Sequence, residues 1–368
     1  LRRGAVVNIE ETAKNIRLLI SSLEKDCGRR ISSAFVNIGG NHLHVEPSDG
    51  LISVSRADHI ISQEDVDRVL QATRAINIPM NEEILDVFPR EFIIDDQKGI
   101  KQPLNLTGVR LQAKVILLCY FQSYFINLTQ AVLGARLQID DIVPSPLAAA
   151  RAVLTPQQKE MGVALIDMGA ATTSLAVFEE GDLIHLAIFP LGSLNITNDL
   201  AIGLKTELAI AEDIKKEHSS SLLGKSDAST SRKKIEISDH MHSLTFTKKN
   251  STDIIQPRVS EILDLMQKEL KSIGRQELLP AGVVLTGGGV KLPRIKDLVK
   301  QQLKLPCQIG VPKGIIGLED DPSLATVAGL VLGGIDLEGE NIGGMLLSSG
   351  FMKGLGLKMR RMFRVFIP

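Results

Sequence analysis

Two short stretches combine residue types suited to holding a phosphate. The first, Asp167-Met168-Gly169-Ala170-Ala171-Thr172-Thr173, follows the apolar run Val163–Ile166. The second, Thr286-Gly287-Gly288-Gly289, follows Val283–Leu285 and leads through Pro293 into a helix expected over Arg294–Leu303. Small residues directly after a buried strand let backbone N–H groups approach an anion unobstructed, and a helix N-terminus adds its dipole. Either loop alone is equally well read as a tight turn, and Asp167 either as a turn cap or as a carboxylate that positions a metal-bound water. The pair is more specific than its members. Between them, Glu212-x-x-Lys215-x-x-x-Ser219 places an acid and an amine one helical turn apart on one face, a spacing that by itself is usually a solvated ion pair.

A third stretch points to a surface rather than a small molecule. On a helical wheel Phe351, Met352, Leu355, Met359, Met362, Phe363 and Phe366 gather on one side while Lys353, Arg360, Arg361 and Arg364 face away. With Lys358 also basic and no acid after Gly350, the positive charge of the segment stands against an otherwise acidic chain. Such a helix is expected in the interface of an anionic membrane; docking on a calmodulin-like groove or on a core are the alternatives. The Gly/Leu-rich Gly333–Gly350 reads as a flexible tether.

These residues need elements to position them. Asn8 and Glu11 have capping-box spacing ahead of an amphipathic helix carrying Ile9, Ala13, Ile16, Ile20 and Leu23. Ser33–Ile38, His42–Val45, Leu51–Val54, Ile84–Phe88 and Glu91–Ile94 read as short strands separated by Gly39-Gly40, Asp49-Gly50 and Pro89, with a helix opened by Ser62 and Asp65. Val115–Tyr120 reads as a strand, Leu128–Arg136 and Pro144–Leu154 as helices, and Val163–Ile166, Leu175–Phe178 and Leu183–Pro190 as a meander. Helix is expected over Ile196–His218 and again over Gln256–Ile273, where Arg258, Lys268 and Lys271 offer positive charge to an acidic peptide. Ser219–Thr252, serine-rich and basic with little apolar periodicity, is assigned no fixed structure.

Composition narrows the function classes. At 368 residues, 44% hydrophobic and 23% charged, the chain is globular and long enough for two or more domains. A formal charge of −1 argues against nucleic acid as a partner. Cys27, Cys119 and Cys307 show neither ligand spacing nor a disulfide framework, as in a reducing cytoplasm. Val115–Phe121 is the longest apolar run, too short to span a bilayer. The seven histidines lack metal spacing and are expected at the surface.

A strand ending in an acid, a small-residue loop with paired threonines, a meander, the Glu-x-x-Lys helix and a strand ending in Thr-Gly-Gly-Gly together resemble the actin/Hsp70/sugar-kinase ATPase core. Ser145–Val153, Gly162–Phe178, Ile196–Lys215 and Ala281–Ile295, with a small α+β unit inserted early, are similar more specifically to the FtsA family of bacterial cell-division proteins. The resemblance implies an α/β, actin-like two-lobed ATPase fold of ribonuclease-H-like subdomains with an inserted α+β subdomain 1C. It divides the chain into subdomain 1A over 1–30, 1C over 31–118, 1A again over 119–160, 2A over 161–215, 2B over 216–275 and 2A again over 276–320. A return to 1A follows over 321–334, then a linker over 335–349 and the membrane-targeting helix over 350–368.

The resemblance also implies ATP with Mg2+ between the lobes, held by Asp167, Gly169, Ala170, Ala171, Thr172, Thr173, Glu212, Lys215, Gly287, Gly288 and Gly289, with Asp167 on the metal through water. It names no water-activating residue. It implies attachment at the cytoplasmic face of the membrane at the division site, self-association into filaments, capture of the FtsZ C-terminal tail by 2B, and contacts with other divisome proteins through 1C. The family's first phosphate-loop hairpin has no counterpart ahead of the helix at Asn8, so the sequence is expected to be N-terminally incomplete. The family also commonly carries glycines and an acid where Ala170, Ala171 and Ser174 stand, which leaves the γ-phosphate contacts open. A pilus-assembly homologue of the PilM type would share the core without a terminal anchor, and a sugar or metabolite kinase would need a catalytic Asp in a sugar pocket.

Overall fold

The computed structural model describes residues 1–222, 234–239, 242–318 and 320–342. In chain order the elements begin with α1 (Ile9–Cys27), β1 (Ser33–Ile38), β2 (Leu43–Ser53), α2 (Gln63–Ala72), β3 (Glu82–Ile94), β4 (Gln97–Ile100) and β5 (Arg110–Phe121). They continue with α3 (Gln122–Gly134), β6 (Gln138–Pro144), α4 (Ser145–Val153), α5 (Pro156–Met161), β7 (Val163–Met168), β8 (Thr173–Glu179) and β9 (Asp182–Phe189). After these come α6 (Ser193–Leu204), α7 (Leu208–Asp213) running into a π turn at Ile214–His218, β10 (Lys234–Asp239), β11 (His242–Thr247) and α8 (Lys248–Ser272). The described part ends with β12 (Val283–Thr286), a 3-10 turn at Gly288–Lys291, α9 (Ile295–Leu303), β13 (Cys307–Ile309) and α10 (Ala325–Ile342).

The chain divides into two compact units: one holds Leu1–His42, Tyr124–Gly181 and His185–Gly334, and the other is centred on Leu43–Ser123. The larger unit is organised by a five-stranded sheet of order β13-β12-β7-β8-β9. β12 runs parallel to both β7 and β13, and β8 turns back antiparallel to β7. Strands buried on both faces read as continuous apolar runs, which is why Val163–Ile166 and Val283–Leu285 show no alternation. Helix α4 carries four buried alanines, and α10 crosses it at backbone distance: a Cβ on Gly329 would stand 1.7 Å from the Ala148 carbonyl oxygen. In α1, Asn8 accepts the Glu11 N–H at 3.0 Å and Gly28 closes the helix in the left-handed region, but only Ala13 is buried and Leu18 and Leu19 stand exposed. β1 pairs in parallel with β6, so Ser33–Ile38 belongs to this unit and not to the inserted one.

The smaller unit is a four-stranded antiparallel sheet of order β2-β5-β3-β4 covered by α2. Its core is built from Ile61, Val66, Val69, Leu70, Phe92, Leu111, Leu117 and neighbouring apolar residues. Two expected breaks are not there. His42–Val45 and Leu51–Val54 form one strand, because Gly50 marks where α2 presses on β2: a Cβ there would meet Val69 O and Thr73 N at 2.7 Å. Ile84–Phe88 and Glu91–Ile94 likewise merge into β3, whose Pro89 is accommodated at a bulge. The Ser62–Asp65 capping box forms as its spacing predicts. Burial pushes the Asp65 carboxyl up, but hydrogen bonds from Ser62 and Ser55 outweigh that and hold it well below the usual carboxylate range.

Other expectations need correction. Ser219–Thr252 contains buried Ser219, Ser220 and Ser221, the antiparallel strands β10 and β11, and the first turn of α8, which Thr247 caps together with Asn250. Ile196–His218 is not one helix but α6, α7 and a π turn. The tether expected over Gly333–Gly350 is helical as far as Ile342, because α10 continues past the α4 crossing; the rest of it, and the amphipathic helix of 350–368, lie outside the described residues. His42 is buried with 3% of its surface exposed, against the expectation of surface histidines. It stacks on Tyr124 at 4.7 Å, neither ring nitrogen finds a partner, and burial pushes its pKa down to about 4.

Candidate nucleotide site

The two loops meet because their strands are neighbours. β7 and β12 lie in parallel register with Thr286 opposite Asp167, so both loops leave the carboxyl ends of adjacent strands. In open α/β sheets the crevice beyond those ends is where ligands bind. The first loop closes by the Gly169 N–H donating to Thr172 O at 2.9 Å. It is seated on α6, whose Ser193 and Leu194 N–H groups donate to Gly169 O and Ala170 O at 2.9 and 2.8 Å. Gly192 permits this approach, since a Cβ there would fall 2.5 Å from Ala170 O. Neither Ala170 nor Ala171 has positive φ, so alanine carries no backbone strain in this loop. The buried Thr173 hydroxyl donates to Leu191 O at 2.8 Å, which ties the end of the loop to the segment entering α6.

The second loop demands glycine at its first position. Gly287 has φ 91° and ψ 167°, a region essentially reserved for glycine, and its N–H donates to Pro322 O at 3.0 Å. A Cβ there would lie 2.3 Å from Asp167 Oδ1 and 2.5 Å from Met168 O. At Gly289 it would meet the Met168 side chain at 2.6 Å, whereas at Gly288 its nearest neighbour is Ser323 at 3.7 Å. Loop two therefore packs by backbone against the end of β7 while Gly288 stays unobstructed.

Asp167 sits where the loops touch. Burial pushes its pKa up to about 6, a hydrogen bond from Thr326 only partly opposing this. No cation pairs with it among the described residues, so a carboxylate at this position would welcome a cation or the water around one. No group of three potential metal ligands is found among the described residues.

Glu212 and Lys215 form a tight, partly buried pair at 2.6 Å. Thr197 donates to Glu212 at 2.6 Å, and Lys215 also donates to Thr197 Oγ1 and to Ser193 O at 2.9 and 3.2 Å. Burial pushes the Glu212 carboxyl up, but the hydrogen bonds of Lys215 and Thr197 outweigh it and leave it below the ordinary range. Lys215 belongs to the π turn, a local widening common at functional sites. The pair thus fastens α7 beneath the same α6 N-terminus that seats loop one. Ser219 donates to Ile214 O, while Ser220 and Ser221 donate to Pro293 O, which joins this region to the segment after loop two.

The charge expected to meet an acidic peptide is distributed differently from the sequence reading. Arg258 is engaged by Asp199, with Nε–Oδ2 at 2.6 Å and Nη2–Oδ1 at 3.0 Å, and also by Glu261. Lys268 and Lys271 remain exposed on α8. Sequence reasoning missed Thr197, Thr326 and the Asp321–Ser323 segment, none of which stands in a spacing that marks a site.

The family model described as "Cell division protein FtsA" matches residues 164–329, and "SHS2 domain inserted in FTSA" matches residues 40–119. The chain is 34% identical to the cell division protein FtsA of Pseudomonas aeruginosa over 345 residues, covering 93% of this chain and 82% of that protein. The chain belongs to the FtsA family. It is also 35% identical to FtsA of Bacillus subtilis over 90% of this chain and 74% of the relative, and 30% identical to FtsA of Escherichia coli K12 over 89% and 80%. Among solved structures, the FtsA-family chain is similar to the PilM–PilN type IV pilus biogenesis complex, with TM-score 0.62, 19% identity and coverage of 91% of this chain and 88% of that one. It is similar to MreB5 of Spiroplasma citri bound to ADP with TM-score 0.50 and 18% identity over 61% of this chain and 68% of that one. The fold is accordingly actin-like, with an inserted α+β unit. No helix among the described residues is long and apolar enough to cross a membrane.

Proposed function

We propose that this FtsA-family protein acts in bacterial cell division as an actin-like scaffold that binds ATP with Mg2+ and holds FtsZ filaments at the cytoplasmic face of the membrane. The observation that carries the nucleotide part is the meeting of the Gly169–Thr173 and Gly287–Gly289 loops at the carboxyl ends of β7 and β12, beside the Glu212–Lys215 pair. Backbone N–H groups of the loops would take the phosphates, and Glu212 and Lys215 would contact the adenosine. Magnesium would supply charge neutralisation of the phosphates, with Asp167 orienting its water. Nothing in this arrangement supplies a named base for water, so binding rather than turnover is the expected output.

The remaining roles follow the family. Residues 350–368 would lie in the interface of an anionic membrane, with Phe351, Met352, Leu355, Met359, Met362, Phe363 and Phe366 inward and Lys353, Lys358, Arg360, Arg361 and Arg364 toward the headgroups. The segment 216–275, presenting Lys268 and Lys271, would receive the acidic FtsZ tail. The inserted unit would meet other divisome proteins, and copies would associate into filaments. The pilus-assembly and sugar-kinase alternatives lose their footing once the family is assigned.

Sedimentation with anionic vesicles tests the anchor: the parent chain pellets, whereas a version ending at Gly350 and the Phe363→Glu variant stay in the supernatant. Unchanged pelleting in both variants would refute it. Titration with fluorescent ATP, with and without Mg2+, tests the nucleotide site.

A further inference from the structure

Asp167 lies at the contact of both loops, and the hydrogen bond the structure gives its side chain comes from far along the chain. Thr326 Oγ1 donates to Asp167 Oδ2 at 3.4 Å across 159 residues of sequence. A threonine at the start of a helix ordinarily spends its hydroxyl on nearby backbone. Thr326, second residue of α10, reaches to β7 instead.

The segment that carries it is fastened to the same place. Pro322 O accepts both the Gly287 N–H and the Thr286 hydroxyl, each at 3.0 Å. Lys291, at the end of the 3-10 turn after loop two, pairs with Asp321 at 2.8 Å. Ala325 and Ala328 are buried, and Gly329 lets α10 sit on the α4 backbone. The hydroxyl therefore has little freedom, while the other carboxylate oxygen, Oδ1, is wedged against Gly287, where not even a methyl group fits. Thr326 and Gly287 thus flank the two oxygens of the Asp167 carboxylate.

We infer that Thr326 is a positioning residue of the nucleotide site, whose hydroxyl fixes the Asp167 carboxylate and thereby sets the affinity for a nucleotide carried with a divalent cation. The inference rests on the nucleotide-binding reading above. It assigns Thr326 no contact with the nucleotide itself. Loss of the hydroxyl frees the carboxylate to turn, which matters only when a hydrated cation must be met in one place. Nucleotide binding without the cation does not depend on it.

Isothermal titration of the full-length protein with ATP, in Mg2+ and in EDTA, separates the two cases. Thr326→Val keeps shape and volume and removes the donor. It is expected to weaken MgATP binding about tenfold, as for one lost hydrogen bond to a charged group, while metal-free ATP binding stays within about twofold. Thr326→Ser restores the hydroxyl and with it the MgATP affinity, and urea midpoints of both variants report folding. Unchanged MgATP affinity in Thr326→Val, an equal loss with and without Mg2+, or failure of serine to restore binding overturns the positioning role. A parent protein that binds neither form of ATP overturns the nucleotide-binding reading itself, and this inference with it.

Discussion

Replacing Gly287 with alanine adds one methyl group at the point where the two loops meet. The backbone there has φ 91° and ψ 167°, and occupying such a region without glycine costs on the order of 1–3 kcal/mol. The added Cβ would also stand 2.3 Å from Asp167 Oδ1, 2.5 Å from Met168 O and 2.8 Å from Met168 C, so the end of β7 must move. Overpacking of that kind adds about 1–3 kcal/mol, for a total near 4 kcal/mol. Gly288 is the internal control. Its φ is not positive and its Cβ would meet only Ser323 at 3.7 Å, so Gly288→Ala should change stability by less than about 1 kcal/mol. Urea unfolding followed by far-ultraviolet circular dichroism gives both differences, compared as midpoints because two units need not unfold together. A Gly287→Ala loss below about 1 kcal/mol, or equal losses at both glycines, would refute the reasoning that backbone contact between the loops holds the site.

Three further substitutions probe different links. His42 has a native pKa near 4 against an ordinary 6.5, so it favours folding above pH 6.5 and loses that contribution as pH falls toward 4; the difference reaches about 2 kcal/mol at pH 5. His42→Phe keeps the stacking on Tyr124 and should flatten this part of the stability profile, whereas an unchanged slope would show that another group sets it. Lys215→Met leaves the partly buried Glu212 carboxylate with Thr197 at 2.6 Å and the exposed Lys216 at 3.5 Å, and should cost about 1–2 kcal/mol and weaken ATP binding together, read by denaturation and by nucleotide titration. Gly329→Ala forces α10 away from Ala148 O, a contact of 1.7 Å for the new Cβ, and should lower the urea midpoint by the equivalent of about 3 kcal/mol; a midpoint within error of the parent would mean the helices separate freely.

Part of the candidate site was legible because its contacts are local. The spacing of Glu212 and Lys215 predicted a contact one helical turn apart, and the ion pair forms. Small residues after apolar runs marked both loops, and Ser62 with Asp65 marked the start of α2. Failures came where a residue answers to something distant. Gly50 looked like turn punctuation but is required by the helix that crosses β2, and Pro89 looked like a break but sits at a bulge. Arg258 looked like free positive charge until the fold brought Asp199 beside it, 59 residues away in sequence. His42 looked like a surface residue because nothing near it in the sequence tells that Tyr124 will cover it.

The resemblance that the motifs of the sequence carry gave the family and the class of fold, and the order of apolar runs, glycine loops and capping residues by itself determined the local elements and the residues around which a nucleotide site can be built. These are set within a few residues of each position, by steric limits on the backbone and by the periodicity of buried faces. The tertiary structure alone decided that β12 returns to lie parallel beside β7, so that Thr286 stands opposite Asp167, and that α10 brings Thr326 to the same carboxylate. Neighbourhood across more than a hundred residues is fixed by how the sheet and its helices bury one another's apolar faces. No spacing within a single element carries that information.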